Sequence, residues 1–353
     1  MAVELENNYS EEDKDVIIEI RNLKKYFPIQ KGIFKKTVAY VKAVDDVSIK
    51  IKRGETVALV GESGCGKSTL GRCVMKIYDS TEGEINYYPK KAIKDKKKLD
   101  IANIEREYLA KLREEIQMIF QDPYSSLNPR MNILEILSEP FRFHSKKWTK
   151  EEIRDRVEYL LEAVGLRSSY LTRFPHEFSG GQLQRIAIAR ALALNPDIIV
   201  ADEPVSALDV SIQGQIINLM KKLQKDLGLT YLFISHNLAL VDRIADRIVV
   251  MYLGKVMEVA ATSELVSNIK HPYTKALLSA VPIADPTIKQ KRIILSGNIP
   301  SPSNPPTGCV FHTRCPYAKE KCKVEVPILR EVVDGHQVAC HFSEKLNLQK
   351  INL

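Results

Sequence analysis

No stretch of the 353-residue chain holds 18 consecutive apolar residues, so the sequence offers no helix able to cross a bilayer. The opening is acidic and polar and has no cationic stretch leading into a long apolar run, so no export signal is expected. Residues 1–15 are expected to be a disordered tail, and the protein is expected to work in the cytoplasm. There the six cysteines are unsuited to disulfides. Internal repeats are missing as well. The net charge of +8 admits nucleic acid or an anionic membrane surface as a partner. However, the basic stretches at 31–36 and 90–98 lack the interleaved aromatics of a single-strand groove. They read as solvated loops or hairpin tips, and no nucleic acid is expected.

What remains is the composition of a globular chain, 44% hydrophobic and 27% charged, with room for one large domain and a smaller one. From Val16 the sequence reads as a sheet edge, and the β-branched runs at 47–51 and 56–60 read as strands. Strand-like segments at 84–88, 116–120, 198–201, 231–234 and 247–251 follow. Helical periodicity marks 67–77, 181–194, 212–227 and 238–244, and also the stretch 133–163, which ends on Gly165. Alternating strands and helices predict an α/β fold with a mostly parallel sheet. An all-helical lobe is expected at about 123–195. Past about residue 270 the texture changes to proline-rich, linker-like segments (285–291 and 300–306) followed by clustered cysteines. The boundaries read as an ATP-binding unit over 16–268 and a small Cys-rich C-terminal domain over 269–353.

Gly61, Glu62, Ser63, Gly64, Cys65, Gly66, Lys67 and Ser68 fit the phosphate-loop pattern, after an apolar strand and before a helix. Such a loop turns backbone N–H groups onto phosphate oxygens at a helix N-terminus. Lys67 is then placed to reach the β- and γ-phosphates, Ser68 to bind Mg²⁺, and Thr69 to meet the α-phosphate region. Further on, an apolar strand ends in Asp202 and Glu203. A carboxylate there can hold the Mg²⁺ coordination sphere, which is the role given to Asp202. Its neighbour Glu203 can act as general base on the attacking water. Ser179, Gly180, Gly181 and Gln182 open another helix and present a second anion site. Two such sites so far apart in sequence make sense if two subunits meet head to tail, each covering the other's nucleotide.

Taken in order, these segments resemble the ATP-binding subunits of ABC transporters, from about residue 16 to 260. The resemblance implies a P-loop NTPase of the ABC ATPase type, with an antiparallel β lobe and a helical lobe. It makes Gly61 to Thr69 the Walker A loop, Gln121 the Q-loop glutamine and a Mg²⁺ contact, and Ser179 to Leu183 the signature motif. Asp202 and Glu203 become the Walker B pair, Asp209 part of the D-loop, and His236 the switch histidine. It also implies that Ser179 and Gly181 contact the γ-phosphate held by the partner subunit, and that Phe27 stacks on adenine. The segments around Phe120 to Arg130 and His271 to Leu277, and the cysteine-rich tail, resemble oligopeptide and dipeptide importers. That resemblance implies a heterodimer with a second homologous ATPase, two membrane permeases and an extracytoplasmic binding protein, all at the cytoplasmic face of the membrane. Importers of nickel or glycosides, and a soluble non-transport ABC ATPase, are the alternatives.

Cys309, Cys315, Cys322 and Cys340 offer four soft ligands. The Cys-x₂₋₄-Cys knuckles usual in structural zinc sites are missing. The spacings of five and six residues, with Pro316 after Cys315, fit a [4Fe–4S] cluster better. The sequence therefore predicts an iron–sulfur cofactor, with zinc or unmetallated cysteines as the alternatives.

Overall fold

The computed structural model describes residues 15–91, 93, 96–143, 148–281 and 292–348. The expected tail, apart from residue 15, and the linker at 285–291 lie outside the described residues. The first strands, in chain order, are β1 (Val16–Lys31), β2 (Lys36–Lys52), β3 (Thr56–Val60), β4 (Glu82–Tyr87), β5 (Leu99–Asp100) and β6 (Ile116–Ile119). They are followed by β7 (Ile198–Asp202), β8 (Thr230–Ile234), β9 (Arg247–Tyr252), β10 (Lys255–Ala261), β11 (Arg330–Val333) and β12 (His336–Val338).

Two sheets result. One is antiparallel, in the order β2-β1-β4-β5. The β1 segment is thus interior to its sheet rather than an edge: it pairs with β2 on one side and with β4 on the other. The turn between β1 and β2 carries Lys35, with Lys31 and Lys36 at the strand ends on either side, so this basic stretch forms the expected hairpin tip. The other sheet runs β11-β12-β10-β9-β3-β8-β7-β6. Its β9-β3-β8-β7-β6 portion is parallel, and β10, β12 and β11 extend it antiparallel.

The parallel strands β3, β7, β8 and β9 are apolar between their end residues because both faces are covered. Val57, Leu59, Ile198, Val200, Leu232 and Ile234 join the buried cluster shared with the antiparallel sheet. The alternate residues Ala58, Val60, Ile199, Ala201, Tyr231 and Phe233 point to the opposite face. That second cluster takes in the helical section, whose helices are Pro123–Ser126, Ile133–Phe143, Lys150–Ala163 and Gly180–Ala191. The C-terminal segment is continuous with it. Phe311 is buried with ring centroids 5.3 Å from both Tyr252 and Tyr273, and β12 adds to the edge of β10. The parallel strands bring Val60, Asp202 and Ile234 to one end of the sheet, the edge at which open α/β sheets bind ligands.

Candidate nucleotide site

Between β3 and the helix Lys67–Val74 the chain makes a loop that only glycine permits at two points. Gly61 has φ 151°, and a Cβ there would meet the Met251 carbonyl oxygen at 2.2 Å. Gly66 has φ 106°, and its Cβ would lie 2.0 Å from the Ala43 carbonyl oxygen. The Lys67 side chain is buried beneath the loop and donates to the carbonyls of Gly61 (2.8 Å) and Glu62 (3.1 Å). Ser68, next along the helix, donates its hydroxyl to Asp202 Oδ1 at 2.7 Å. Burial pushes the Asp202 carboxyl above its ordinary range, opposed by the Ser68 hydrogen bond and by Arg72, whose guanidinium stands 3.8 Å away.

Glu203 follows with φ 48°, a left-handed conformation that is uncommon for a residue with a side chain and costs about 1–3 kcal/mol. Its N–H donates to the Ile234 carbonyl at 3.0 Å, which ties the kink to the neighbouring strand. The kink aims the carboxylate across the sheet end. Gln121 Nε2 donates to Glu203 Oε2 at 3.0 Å, and His236 Nδ1 lies 3.1 Å from Oε1. Loop, glutamine, acid and histidine line one cavity of about 470 Å³, whose walls include Ser63, Gly64, Gly66, Lys67, Ser68, Thr69, Gln121, Glu203 and His236. Residues as far apart in the sequence as Ser63 and His236 thus face a single space.

Other predicted residues lie elsewhere. Ser179 caps the helix Gly180–Ala191 in a reciprocal arrangement: its hydroxyl accepts from the Gln182 N–H, and Gln182 Oε1 accepts from the Ser179 N–H. Ser179 is exposed, and neither it nor Gly180, Gly181 or Gln182 lines the cavity. Gly181 is sterically required, since a Cβ would meet Ile212 Cγ2 at 2.6 Å. Asp209 is exposed at the start of the helix Val210–Leu227. Phe27 sits edge-on to Tyr78 at 5.4 Å between centroids and is not among the residues lining the cavity. Cys65 is a buried thiol 3.6 Å from Lys67 Nζ.

The iron–sulfur prediction is corrected. Cys309, Cys315, Cys322 and Cys340 do converge on one cavity, but it measures only about 20 Å³, room for roughly one water. Among the described residues no group of three or more His, Cys, Asp or Glu side chains is disposed to hold a metal ion, which removes zinc along with the cluster. Burial pushes the Cys309 thiol up to about 11 and Cys315 to about 12, so both pack as neutral thiols.

Sequence reasoning missed three residues that touch this site. Val41, Ala43 and Pro302 complete the cavity wall. They carry no phosphate-binding or catalytic side chain, so no motif reports them.

Two family profiles match. One is described as ABC transporter and covers residues 44–206; the other, oligopeptide/dipeptide transporter, C-terminal region, covers 257–322. The chain is 54% identical to the oligopeptide transport ATP-binding protein AppF of Bacillus subtilis, over 93% of its own length and 98% of the relative's. It is 51% identical to the dipeptide transport ATP-binding protein DppF of Haemophilus influenzae, over 90% and 94%. A solved dimeric ATP-binding cassette in a post-hydrolysis state with ADP and phosphate is similar to it in structure. That match has a TM-score of 0.59 and 30% identity, and covers 70% of this chain and 99% of that one. Among the described residues no helix is long and apolar enough to cross a membrane.

Proposed function

The chain belongs to the ATP-binding proteins of the ABC transporter family, and from that premise we propose that it is the ATP-hydrolysing subunit of an importer of di- and oligopeptides. The observation that carries the reading is the single cavity in which the phosphate loop faces Gln121, Glu203 and His236. The peptide assignment is supported by the oligopeptide and dipeptide transport names of relatives that match nearly end to end.

The Ser68 hydroxyl and Asp202 carboxylate, 2.7 Å apart, are hard oxygen donors of the kind Mg²⁺ takes. Gln121, which lines the same cavity as Ser68, is the third candidate. Mg²⁺ held by these residues would shield the negative charge of the β- and γ-phosphates. The glycine loop receives the phosphates on its N–H groups. On nucleotide binding, Lys67 exchanges its carbonyl partners for the β- and γ-oxygens. Thr69 lies at the α-phosphate. Glu203 accepts a proton from water as that water attacks the γ-phosphorus and the bond to the β–γ bridging oxygen breaks, with ADP leaving. Gln121 and His236 hold the two carboxylate oxygens of Glu203 in place, and His236 is positioned to follow the γ-phosphate.

Ser179, Gly181 and Asp209 lie outside their own chain's cavity and are exposed or half-exposed, which supports a role at the nucleotide of an opposed ATPase. We assign that place to a second, homologous subunit in a heterodimer, docked on two permeases at the cytoplasmic face and supplied by an extracytoplasmic binding protein. The Cys-rich C-terminal region serves as a packed extension of the ATPase.

Equilibrium binding and turnover with ATP test the site. Lys67→Ala is expected to lose ATP binding. Glu203→Gln is expected to keep binding and to lose at least about 10²-fold in turnover, the usual worth of a general base. Full turnover in Glu203→Gln would remove the residue from that role.

A further inference from the structure

Two contacts join the C-terminal segment to the nucleotide cavity. Ser301 to Asn304 form a turn with Pro302 at its second position, closed by the Asn304 N–H on the Ser301 carbonyl at 3.0 Å. The Pro302 carbonyl accepts from the Lys42 N–H at 3.0 Å. That bond sets the proline ring beside Val41 and Ala43 in the cavity wall, on the side where Ala43 abuts Gly66. Glu203 and His236 make the polar end of the same cavity; Val41, Ala43 and Pro302 are its apolar surface.

The second contact is at Glu62, the first residue after Gly61. Arg314, with its side chain 8% exposed, grips the Glu62 carboxylate with both terminal nitrogens, at 2.6 and 3.0 Å. The Glu62 N–H donates to Tyr273 Oη at 2.9 Å, and the Glu62 carbonyl accepts from Lys67. Arg314 also reaches Tyr252 Oη at 3.4 Å, so the clamp is anchored in the buried aromatic cluster. Every polar group of Glu62 named here is held by a C-terminal side chain or by the loop's own lysine.

We propose that the C-terminal segment is a working wall of the ATP pocket: Pro302, with Val41, packs against the nucleoside, while Arg314 and Tyr273 act as positioning residues that fix the phosphate loop at Glu62. This rests on the ATP-site reading above. It gives the apolar wall to a residue some 240 positions beyond the loop, while Phe27 packs on Tyr78.

Dissociation constants of the full-length chain for Mg-ATP and for magnesium tripolyphosphate, which has no nucleoside, separate the two contacts. Pro302→Gly should weaken ATP binding by several-fold and leave tripolyphosphate unchanged. Arg314→Ala should weaken both ligands by about tenfold, the size of one charge-assisted hydrogen bond, and Arg314→Lys should recover part of that loss. A Pro302→Gly chain that binds ATP as wild type does, or that loses both ligands equally, overturns the wall. So does a Phe27→Ala chain that loses as much ATP affinity as Pro302→Gly. An Arg314→Ala chain with a lowered Tm but unchanged affinities makes the clamp structural only and overturns positioning. A wild-type chain that binds tripolyphosphate as tightly as ATP overturns the wall without touching the phosphate loop. One that binds neither removes the ATP-site reading itself, and the proposal with it.

Discussion

Mild acid should loosen the C-terminal segment through one histidine. His271 is 1% exposed and sits at the start of the helix Pro272–Ser279, where its Nδ1 accepts the Tyr273 N–H at 3.1 Å. Its ring packs 5.8 Å from that of Phe311. Burial lowers its pKa from 6.5 to about 3, since a charged imidazole would lose both its hydration and its acceptor role in the cap. The native state therefore keeps His271 neutral, while the unfolded chain takes up a proton below pH 6.5. The stability held above pH 6.5 falls as pH drops towards 3. At about 1.4 kcal/mol per unit, the loss is about 2 kcal/mol at pH 5 and about 5 kcal/mol over the whole window. That is a large share of a domain's usual stability. Urea unfolding at pH 7 and at pH 5, read by tyrosine fluorescence, measures it. His271→Asn keeps an acceptor for the cap and should be less stable at pH 7, because it leaves space unfilled. It should also lose most of the dependence between pH 7 and pH 5. Wild type and His271→Asn losing stability in parallel over that range would refute the reasoning.

Other expectations follow from the same geometry. Gly66→Ala places a Cβ against the Ala43 carbonyl at positive φ; it should abolish ATP binding and cost at least about 1–3 kcal/mol of stability, read from a thermal melt. Ser68→Ala removes the donor to Asp202 and should weaken Mg-dependent ATP affinity about tenfold, with much less effect when Mg²⁺ is chelated. Glu258 is fully buried and accepts from His336 Nε2 and from the N–H groups of Lys270 and His271. Glu258→Ala strands all three donors and should lower stability by about 3–5 kcal/mol, visible in urea midpoints.

Local order was the most legible level. The spacing of Gly61, Gly66 and Lys67 between an apolar strand and a helix reports itself, because each residue type is required by its own backbone or by the phosphate. The pair Asp202 and Glu203 is legible for the same reason. What was not legible depends on contacts across the chain. Pro302 and Arg314 have no signal of their own; their importance comes from Lys42 and Glu62, which lie hundreds of residues earlier. The cysteines show the opposite failure. Their clustering in sequence does reflect convergence in space, yet four thiols read as ligands prove to be walls of a cavity about the size of a water molecule. From sequence β1 reads as an edge, because its second partner, β4, lies beyond the phosphate loop.

On the proposal above, ATP hydrolysis assisted by Glu203 drives peptide uptake. The most direct test is uptake of a labelled peptide into proteoliposomes holding the assembled transporter, with ATP on the side of this subunit. Wild type should accumulate peptide only with ATP and Mg²⁺, and the Glu203→Gln complex should bind ATP without accumulating peptide. Undiminished ATP-driven accumulation in the Glu203→Gln complex would contradict the account.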